Sequence, residues 1–261
     1  MIFKKNIIIS SFFESFKAIK EKKFFILFPV IIDLLFIISF GFTVNYFLAN
    51  IEEKAVALIQ SGKSMLYAGS LIKGLFSNND SLSILLSTLG IMITAYINYC
   101  IFQGSNWMLA KKFVHVKVSF FAYMKKFFLI NLFWFFLFYI VQITDYFRRL
   151  FGYLRQQDYS WLSNALIFLL ILIVYFAFIS YTLLTKYNVK KAIRKSFSLG
   201  IKKIHYILFM YLILYLIFLL LDFLAKINFV LMILVGILLV SPAFTWARIF
   251  INLVVGKLDK K

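Results

Sequence analysis

Two oppositely charged residues, Asp33 and Arg248, lie inside long apolar stretches of the chain and are its clearest candidates for chemistry. Asp33 falls about nine residues into one such stretch, and Arg248 lies about eight residues before the end of another. At 1.5 Å of rise per helical residue, both would lie roughly 12–14 Å from the same face of a membrane. A charge at that depth is costly unless it is paired or hydrated. The sequence therefore predicts an intramembrane ion pair between Asp33 and Arg248.

This ion pair has structural and functional interpretations. It could be a static clamp that closes the first helix against the last, or Arg248 could instead snorkel to the cytoplasmic surface. As a functional site, Asp33 would bind a proton or an ion, and Arg248 would act as a switch or as an anchor for substrate. The residues alone leave these alternatives open.

A second polar set, Asn98, Gln103 and Asn106, lies within a single apolar stretch. Gln103 and Asn106 are three residues apart and are therefore neighbours on a helix surface. Amides of this kind either join helices through hydrogen bonds across an interface or line a small polar path. Both interpretations stay open for these residues.

Histidine and cysteine, the other residues that could carry chemistry, are few and scattered. His115 and His205 stand among lysines, without the neighbouring partners that a metal site or an acid–base centre needs. Cys100 is the single cysteine and lies in an apolar stretch, so we expect a small buried side chain and no disulfide. The sequence thus predicts no catalytic residue, no metal ligand and no cofactor, and hence a protein that is not an enzyme.

The elements that must position these residues are six long apolar stretches. Hydrophobic residues make up 63% of the 261 positions and charged residues 15%, whereas a soluble chain has about 45–50% and about 25%. Each stretch reaches the roughly 20 residues that a helix needs to cross the hydrocarbon, where a backbone must satisfy its own hydrogen bonds. We therefore predict an all-α, polytopic membrane helix bundle in one domain over residues 1–261, with transmembrane helices at about 24–48, 82–110, 127–147, 161–185, 204–224 and 227–255.

Lysine and arginine are concentrated on every second connection between these stretches. The N-terminal segment, the second and fourth connections and the C-terminal end, counting Arg248, hold 22 of the 29 basic residues. The positive-inside rule then places both termini in the cytoplasm, and we expect the cell membrane as the location. The formal net charge of +19 is therefore largely a property of the cytoplasmic face. It predicts attraction to anionic lipid headgroups, at about 1 kcal/mol per residue near the surface, rather than nucleic-acid binding.

The cytoplasmic segments share a local pattern in which Ser-Phe is followed by Lys-Lys and an apolar run. It occurs at Ser15–Leu27, Ser119–Ile130 and Ser196–Phe209. Each copy could be a short amphipathic elbow on the inner leaflet, with its lysines at headgroup level. The chain would then consist of three hairpins, each built from an elbow and two crossings. The alternative is chance recurrence in a chain rich in phenylalanine and lysine.

Two of these segments also carry a family resemblance. Glu14–Ala18 before Phe28-Pro29, and Lys191–Ser196 after the fourth apolar stretch, resemble uncharacterised six-helix integral membrane proteins of bacteria and archaea. Those proteins are similar to the membrane region attached to some glycerophosphodiester phosphodiesterases. The resemblance implies a six-helix membrane protein and supplies no catalytic residue.

Two connections on the outer side have apolar residues at helical spacing, Ile51–Phe76 and Tyr146–Tyr159. We interpret each as an interfacial helix, as a lid over the bundle, or as a loop that packs on the helix ends. A lid would have a function only if a ligand site lay beneath it.

Together the residues favour a non-enzymatic multipass membrane protein that acts as a scaffold or as a lipid-interacting envelope component. The alternative is a small transporter or channel with a polar path near Asp33 and Arg248. A membrane enzyme of lipid metabolism is the third class, and it would need clustered Asp, Glu or His at the membrane edge, which the sequence lacks.

Overall fold

The computed structural model describes residues 7–60, 79–155, 159–227 and 235–260. These residues form helices and turns without any strand, which confirms the predicted all-α class. Six helical segments in these ranges are long and apolar enough to cross a membrane: Lys23–Ala57, Asn79–Phe113, Phe120–Arg149, Ser160–Leu183, Ile204–Ala225 and Leu238–Leu258. Large apolar side chains along them, such as Ile31, Leu132 and Leu216, are more than half exposed, as expected for helices that face lipid. The chain is therefore a multipass membrane protein.

The described residues form α-helices and three short helical turns of other types, one 3-10 and two π. In order the α-helices are α1 (Ile7–Glu21), α2 (Leu27–Gln60), α3 (Asn79–Asn98), α4 (Gly104–Phe113), α5 (Phe120–Arg155), α6 (Ser160–Leu183), α7 (Val189–Lys202), α8 (Ile204–Ala225) and α9 (Ser241–Leu258). A 3-10 turn over Lys23–Ile26 leads into α2, and π turns over Tyr99–Gln103 and Gly236–Val240 precede α4 and α9. The first π turn interrupts the helix that the sequence predicts as continuous over 82–110.

Two helices run further than the sequence predicts. α2 continues past residue 48 to Gln60, and α5 covers 36 residues instead of 127–147. The extension of α2 contains no proline or glycine and is rich in Ala, Glu, Lys and Leu, which favour helix. In α5, Asp145 pairs with Arg148 and Arg149 three and four residues later, which supports the helix through its polar end.

These extensions correct the predicted outer segments 51–76 and 146–159. Up to Gln60 and Arg155 they are the ends of α2 and α5 and not separate interfacial helices. Residues 61–78 and 156–158 lie outside the described residues.

The last predicted helix, 227–255, is described from Val235 onwards. It continues through the π turn into α9, and Pro242, two residues after that turn, has no N–H to donate to the preceding turn of the helix. Residues 228–234 lie outside the described residues.

Two of the three predicted elbows are separate helices, and the third is not. α1 and α7 end where the backbone leaves the helical region, at Lys22 (φ −125°) and Lys203 (φ −118°). The second segment, Ser119–Ile130, has no such break, because Lys125-Lys126 continue within α5. The prediction of three equivalent hairpins is therefore wrong for the second copy, whose Lys-Lys pair does not end a helix.

By its internal contacts the chain forms two compact units, one from Met1–Asp33 with Gly104–Lys261 and one from Leu34–Gln103. In the larger unit α9 is the central helix and packs against α1, α4, α6 and α8. The most apolar window of this last span is 61% buried, against 11–28% in the other five. The core of the larger unit therefore lies around α9, and the single domain over 1–261 stays a prediction.

α1 packs on α9 through one polar contact and a group of aromatic rings. Trp246 donates its Nε1 hydrogen to Ser15 Oγ at 2.8 Å. The ring of Phe12 meets those of Trp246 and Phe250 edge-on, with centroids 5.6 and 5.9 Å apart. Ser15 is fully buried, and its small side chain lets the two helices approach closely. The first elbow is thus fixed to the last helix.

The smaller unit joins α2 to α3 through two serine–asparagine pairs. Ser39 Oγ donates to Asn98 Oδ1 at 3.0 Å, and Ser83 Oγ donates to Asn50 Oδ1 at 3.1 Å. Hydrogen bonds across an interface hold helices together where lipid supplies no hydrophobic drive. Asn98 therefore joins helices, which is one of the two roles that the sequence left open for it.

Candidate functional site

Asp33 and Arg248 form a bidentate ion pair in the interior of the larger unit. α2 and α9 each present their charged residue about two turns after the helix begins. Arg248 Nη1 donates to Asp33 Oδ2 and Nη2 donates to Oδ1, both at 2.9 Å. Asp33 is 5% exposed and Arg248 is 8% exposed. The contact predicted from the sequence is present, and Arg248 does not snorkel to the surface.

Asn106 of α4 is the third member of this site. Its Nδ2 donates to Asp33 Oδ1 at 2.8 Å, and the residue is 1% exposed. The carboxylate therefore accepts at least three hydrogen bonds, which compensates its charge after removal from water. The Oδ1 atom of Asn106 receives no hydrogen bond from the described residues, so one buried acceptor stays open here. We call Asp33, Arg248 and Asn106 the clamp.

A polar network continues from the clamp to a buried lysine. Asn252, one turn after Arg248 on α9, donates from Nδ2 to the Arg248 carbonyl oxygen at 2.8 Å. Its Oδ1 accepts a hydrogen bond of 2.9 Å from Lys111 Nζ, which also donates to the Thr182 carbonyl oxygen at 2.6 Å. Lys111 is 3% exposed. Its ammonium group is thus held between α4, α6 and α9 by neutral acceptors.

Lys111 is accommodated there because it caps the end of a helix. α6 ends at Leu183, and the last carbonyl groups of a helix have no partner within it. A lysine near a helix C-terminus satisfies these carbonyls and interacts favourably with the helix dipole. Lys126 of α5 donates just beyond this helix, to the carbonyl oxygens of Leu184, the residue after α6, and of Tyr187 in the following connection, at 3.1 and 3.2 Å. Two lysines of the basic segments therefore support the fold instead of facing solvent.

Sequence reasoning does not single out Lys111 or Asn252. Lys111 stands beside the exposed Lys112, and neighbours on a helix point about 100° apart, so the sequence does not tell which of them is buried. Asn252 does have a usable signal, since it follows Arg248 by four residues and shares its helix face.

Two of the three amides predicted as a polar path or as helix glue, Asn98 and Asn106, have different partners. Asn98, in the smaller unit, accepts the hydrogen bond from Ser39, and Asn106, in the larger unit, donates to Asp33. Gln103 is half-buried and ends the π turn. A π turn contains an extra residue, so the regular spacing that the sequence assumes for Gln103 and Asn106 does not describe this helix.

The histidines and the cysteine occupy structural positions. His115 is exposed and ends α4 with φ of 56°, and its backbone N–H donates to the Lys112 carbonyl oxygen while the next N–H donates to that of Lys111. These two bonds form a Schellman motif. His205 is exposed and Cys100 is buried. Within the described ranges, no group of three or more His, Cys, Asp or Glu side chains could hold a metal ion.

A second ionic cluster lies beyond the last span, at the end of α9. Asp259 accepts hydrogen bonds from Lys186 Nζ at 2.8 Å and Lys195 Nζ at 2.7 Å, and its side chain is 1% exposed. Burial alone would raise the pKa of Asp259, but the hydrogen bonds from the two lysines outweigh it and hold this pKa below its ordinary value. The hydrogen bond to Asp259, followed by one to Tyr187, raises the pKa of Lys195. This cluster fixes the end of α9 to α7 and to the connection before it.

Comparison with known proteins identified no relative of the chain. No protein-family model, no curated protein and no solved structure matches the chain. The resemblance to six-helix membrane proteins of bacteria and archaea stays a prediction.

Proposed function

We propose that the protein is a non-enzymatic multipass scaffold of the cell membrane that interacts with lipid. The observation that carries this proposal is the paired state of the buried charges. Among the described residues, Asp33, Lys111 and Arg248 are buried and charged, and beyond the last span the side chain of Asp259 is too. Each is held by hydrogen bonds within the protein. A transport site or a catalytic site needs a charged group that exchanges with water or ligand. A buried bidentate pair is better suited to a fixed connection between the start of α2 and α9.

The distribution of charge supports an interaction with anionic headgroups on the cytoplasmic side. With both termini in the cytoplasm, the segments rich in lysine and arginine would all face that side. The separate helices α1 and α7 hold exposed lysines, among them Lys17, Lys20, Lys190 and Lys191. Basic residues near a membrane surface attract anionic lipids. The proposed partners are therefore membrane lipids and not nucleic acid.

Cysteine accessibility tests whether the clamp is dry. In a Cys100→Ala background, Thr245→Cys places a thiol at a fully buried position three residues before Arg248. Lys190→Cys is the control, because Lys190 is exposed on α7. In sealed vesicles treated from either side with a membrane-impermeant maleimide, we expect no labelling of Thr245→Cys and labelling of Lys190→Cys from the cytoplasmic side. Labelling of Thr245→Cys would show that water reaches the ion pair and would contradict the scaffold.

A small transporter or channel is the second candidate, and the open acceptor on Asn106 favours it. A buried carbonyl oxygen of this kind is normally satisfied by water or by a donor group. A transporter would use Asp33 and Arg248 as its ion or substrate site. The same labelling experiment separates the two candidates, because a hydrated path exposes Thr245→Cys from one side and a dry clamp does not.

A further inference from the structure

A basic groove opens where α1 meets the first span. Its volume is about 480 Å³, and it is lined by Lys20, Glu21, Lys22, Lys23, Phe24, Phe25 and Lys112. All of these residues belong to the larger unit. We call it the elbow groove. None of its lining residues belongs to the clamp, so it is a separate site.

The elbow groove has an excess of positive charge. Four of its lining residues are lysines and one, Glu21, is an acid. Glu21 Oε2 lies 3.7 Å from His115 Nε2, and Glu21 Oε1 lies 3.9 Å from Lys17 Nζ. The acid therefore faces Lys17 and the His115 ring, which do not line the groove. Lys20 and Lys23 are exposed, so their ammonium groups are accessible to an anionic ligand.

The shape of the elbow groove is set by contacts with the core. Lys22 Nζ donates to the Lys112 carbonyl oxygen, which also accepts the His115 N–H at the end of α4. This bond keeps the end of α4 beside the lysines that follow α1. The ring of Phe25 lies 5.2 Å, centroid to centroid, from that of the fully buried Phe113. The groove is therefore part of the packed fold.

The elbow groove lies at the depth where lipid headgroups are expected. The first span begins at Lys23, so the groove lies at the N-terminal end of that span. Phe24 is 74% exposed, and Lys23 Nζ lies 5.2 Å from the centroid of its ring. An exposed aromatic ring beside an ammonium group matches a phospholipid, which joins an apolar part to a charged phosphate.

We propose that the elbow groove binds the phosphate group of an anionic phospholipid. Lys20, Lys23 and Lys112 contact the phosphate oxygens, and Phe24 contacts the glycerol and the start of the acyl chains. Lysine binds phosphate as a compact point charge, and basic pockets at a membrane surface bind anionic headgroups. This inference rests on the proposed function and deepens it, because it assigns the lipid interaction to one site.

Native mass spectrometry of the full chain in detergent tests the site. Phosphatidylglycerol is titrated against the wild type and against Lys20→Gln/Lys23→Gln, with phosphatidylcholine as the neutral reference. We expect the wild type to bind one phosphatidylglycerol more tightly than phosphatidylcholine. The variant should bind it about 10- to 30-fold more weakly, because two ammonium groups are removed from the ligand.

Two further variants make the test specific. Lys190→Gln/Lys202→Gln removes the same charge from exposed positions of α7, and it should weaken the first phosphatidylglycerol by less than about threefold, because salt screens charges that do not touch the ligand. Lys112→Gln removes a lysine that lines the groove from α4. It should weaken phosphatidylglycerol binding as the double variant does. Unchanged unfolding midpoints establish that the variants fold.

The outcomes separate the groove from the proposed function. If the wild type binds phosphatidylglycerol no more tightly than phosphatidylcholine, both the proposed lipid interaction and the assignment of the groove are refuted. A preference that survives Lys20→Gln/Lys23→Gln and Lys112→Gln, or that falls equally in the α7 control, overturns the groove alone.

Inorganic phosphate distinguishes a lipid site from a site for free anions. In large molar excess it should leave the phosphatidylglycerol complex intact, because it lacks the part that contacts Phe24. Phe24→Ala should in turn weaken the lipid complex. Displacement of the lipid by inorganic phosphate, with no effect of Phe24→Ala, would mean that the groove recognises phosphate alone and would overturn the assignment to a lipid.

Discussion

Replacing Arg248 with methionine should be among the most destabilising single changes in this chain. Arg248→Met removes two hydrogen bonds of 2.9 Å from the buried carboxylate of Asp33. Hydrogen bonds to charged groups contribute about 1.5–3 kcal/mol each, so two of them amount to about 3–6 kcal/mol. Removing one partner of a buried pair typically costs about 3–5 kcal/mol. We therefore expect the free energy of unfolding to fall by about 3–5 kcal/mol.

The double variant Asp33→Leu/Arg248→Met should be less destabilised than Arg248→Met alone. It leaves no buried charge without compensation, and replacing a buried ion pair by apolar residues is often nearly neutral. The Nδ2 group of Asn106 then loses its acceptor, which costs about 1–3 kcal/mol. The expected loss of about 1–3 kcal/mol is therefore smaller than that of the single variant.

A double-mutant cycle in mixed micelles measures this coupling. The purified variants are titrated from a mild detergent into sodium dodecyl sulfate and followed by tryptophan fluorescence and circular dichroism. Lys226→Met is the control, because Lys226 and Asp222 form an exposed pair at 2.6 Å, whose loss should not be measurable. If the losses from Asp33→Leu and Arg248→Met simply add in the double variant, the two side chains are uncoupled and the reasoning about the clamp is refuted.

Three further changes test other features of the structure. His115→Gly should raise the free energy of unfolding by up to about 1 kcal/mol in the same titration, since φ of 56° strains a residue with a side chain and suits glycine. Lys111→Met should lower it by about 2–4 kcal/mol, because two buried acceptors lose their donor, whereas Lys112→Met should stay within about 0.5 kcal/mol. The pKa of Asp259 is lowered on folding, so its contribution to stability is fully present above the ordinary value of 3.8 and is lost as the pH falls through the lower folded value. The unfolding midpoints of the wild type and Asp259→Asn should therefore differ at pH 7 and converge as the pH falls through the folded pKa of Asp259.

The all-α class and the contact between Asp33 and Arg248 are predictable because each follows from one strong constraint. A backbone in hydrocarbon must bond to itself, which leaves the helix as the element for each apolar stretch. Two isolated opposite charges at similar depth lower their free energy most by pairing. The structure has both features.

Helix ends and the partners of lysines are not predictable from the sequence, because they depend on packing. Lys22-Lys23-Phe24 and Lys125-Lys126-Phe127 have the same residue types, yet the backbone leaves the helix at the first and continues through the second. Lys111 and Lys112 differ in exposure because α4 turns one of them towards α9. Contacts with distant parts of the chain determine where these helices end and which lysine is buried. The local residue types therefore do not predict either feature.

The clamp also has a consequence for the order in which the protein is made. Its two charged partners are 215 positions apart, and a ribosome adding about 5–20 residues per second takes roughly 10–40 s to pass from one to the other. The nascent chain therefore carries Asp33 into the membrane before Arg248 has been translated, and Asn106 is the first of its partners to arrive. The clamp therefore forms only after Arg248, near the end of the sequence, has been translated. A chain that stops before Arg248 therefore leaves the buried Asp33 carboxylate without the two hydrogen bonds of its guanidinium partner.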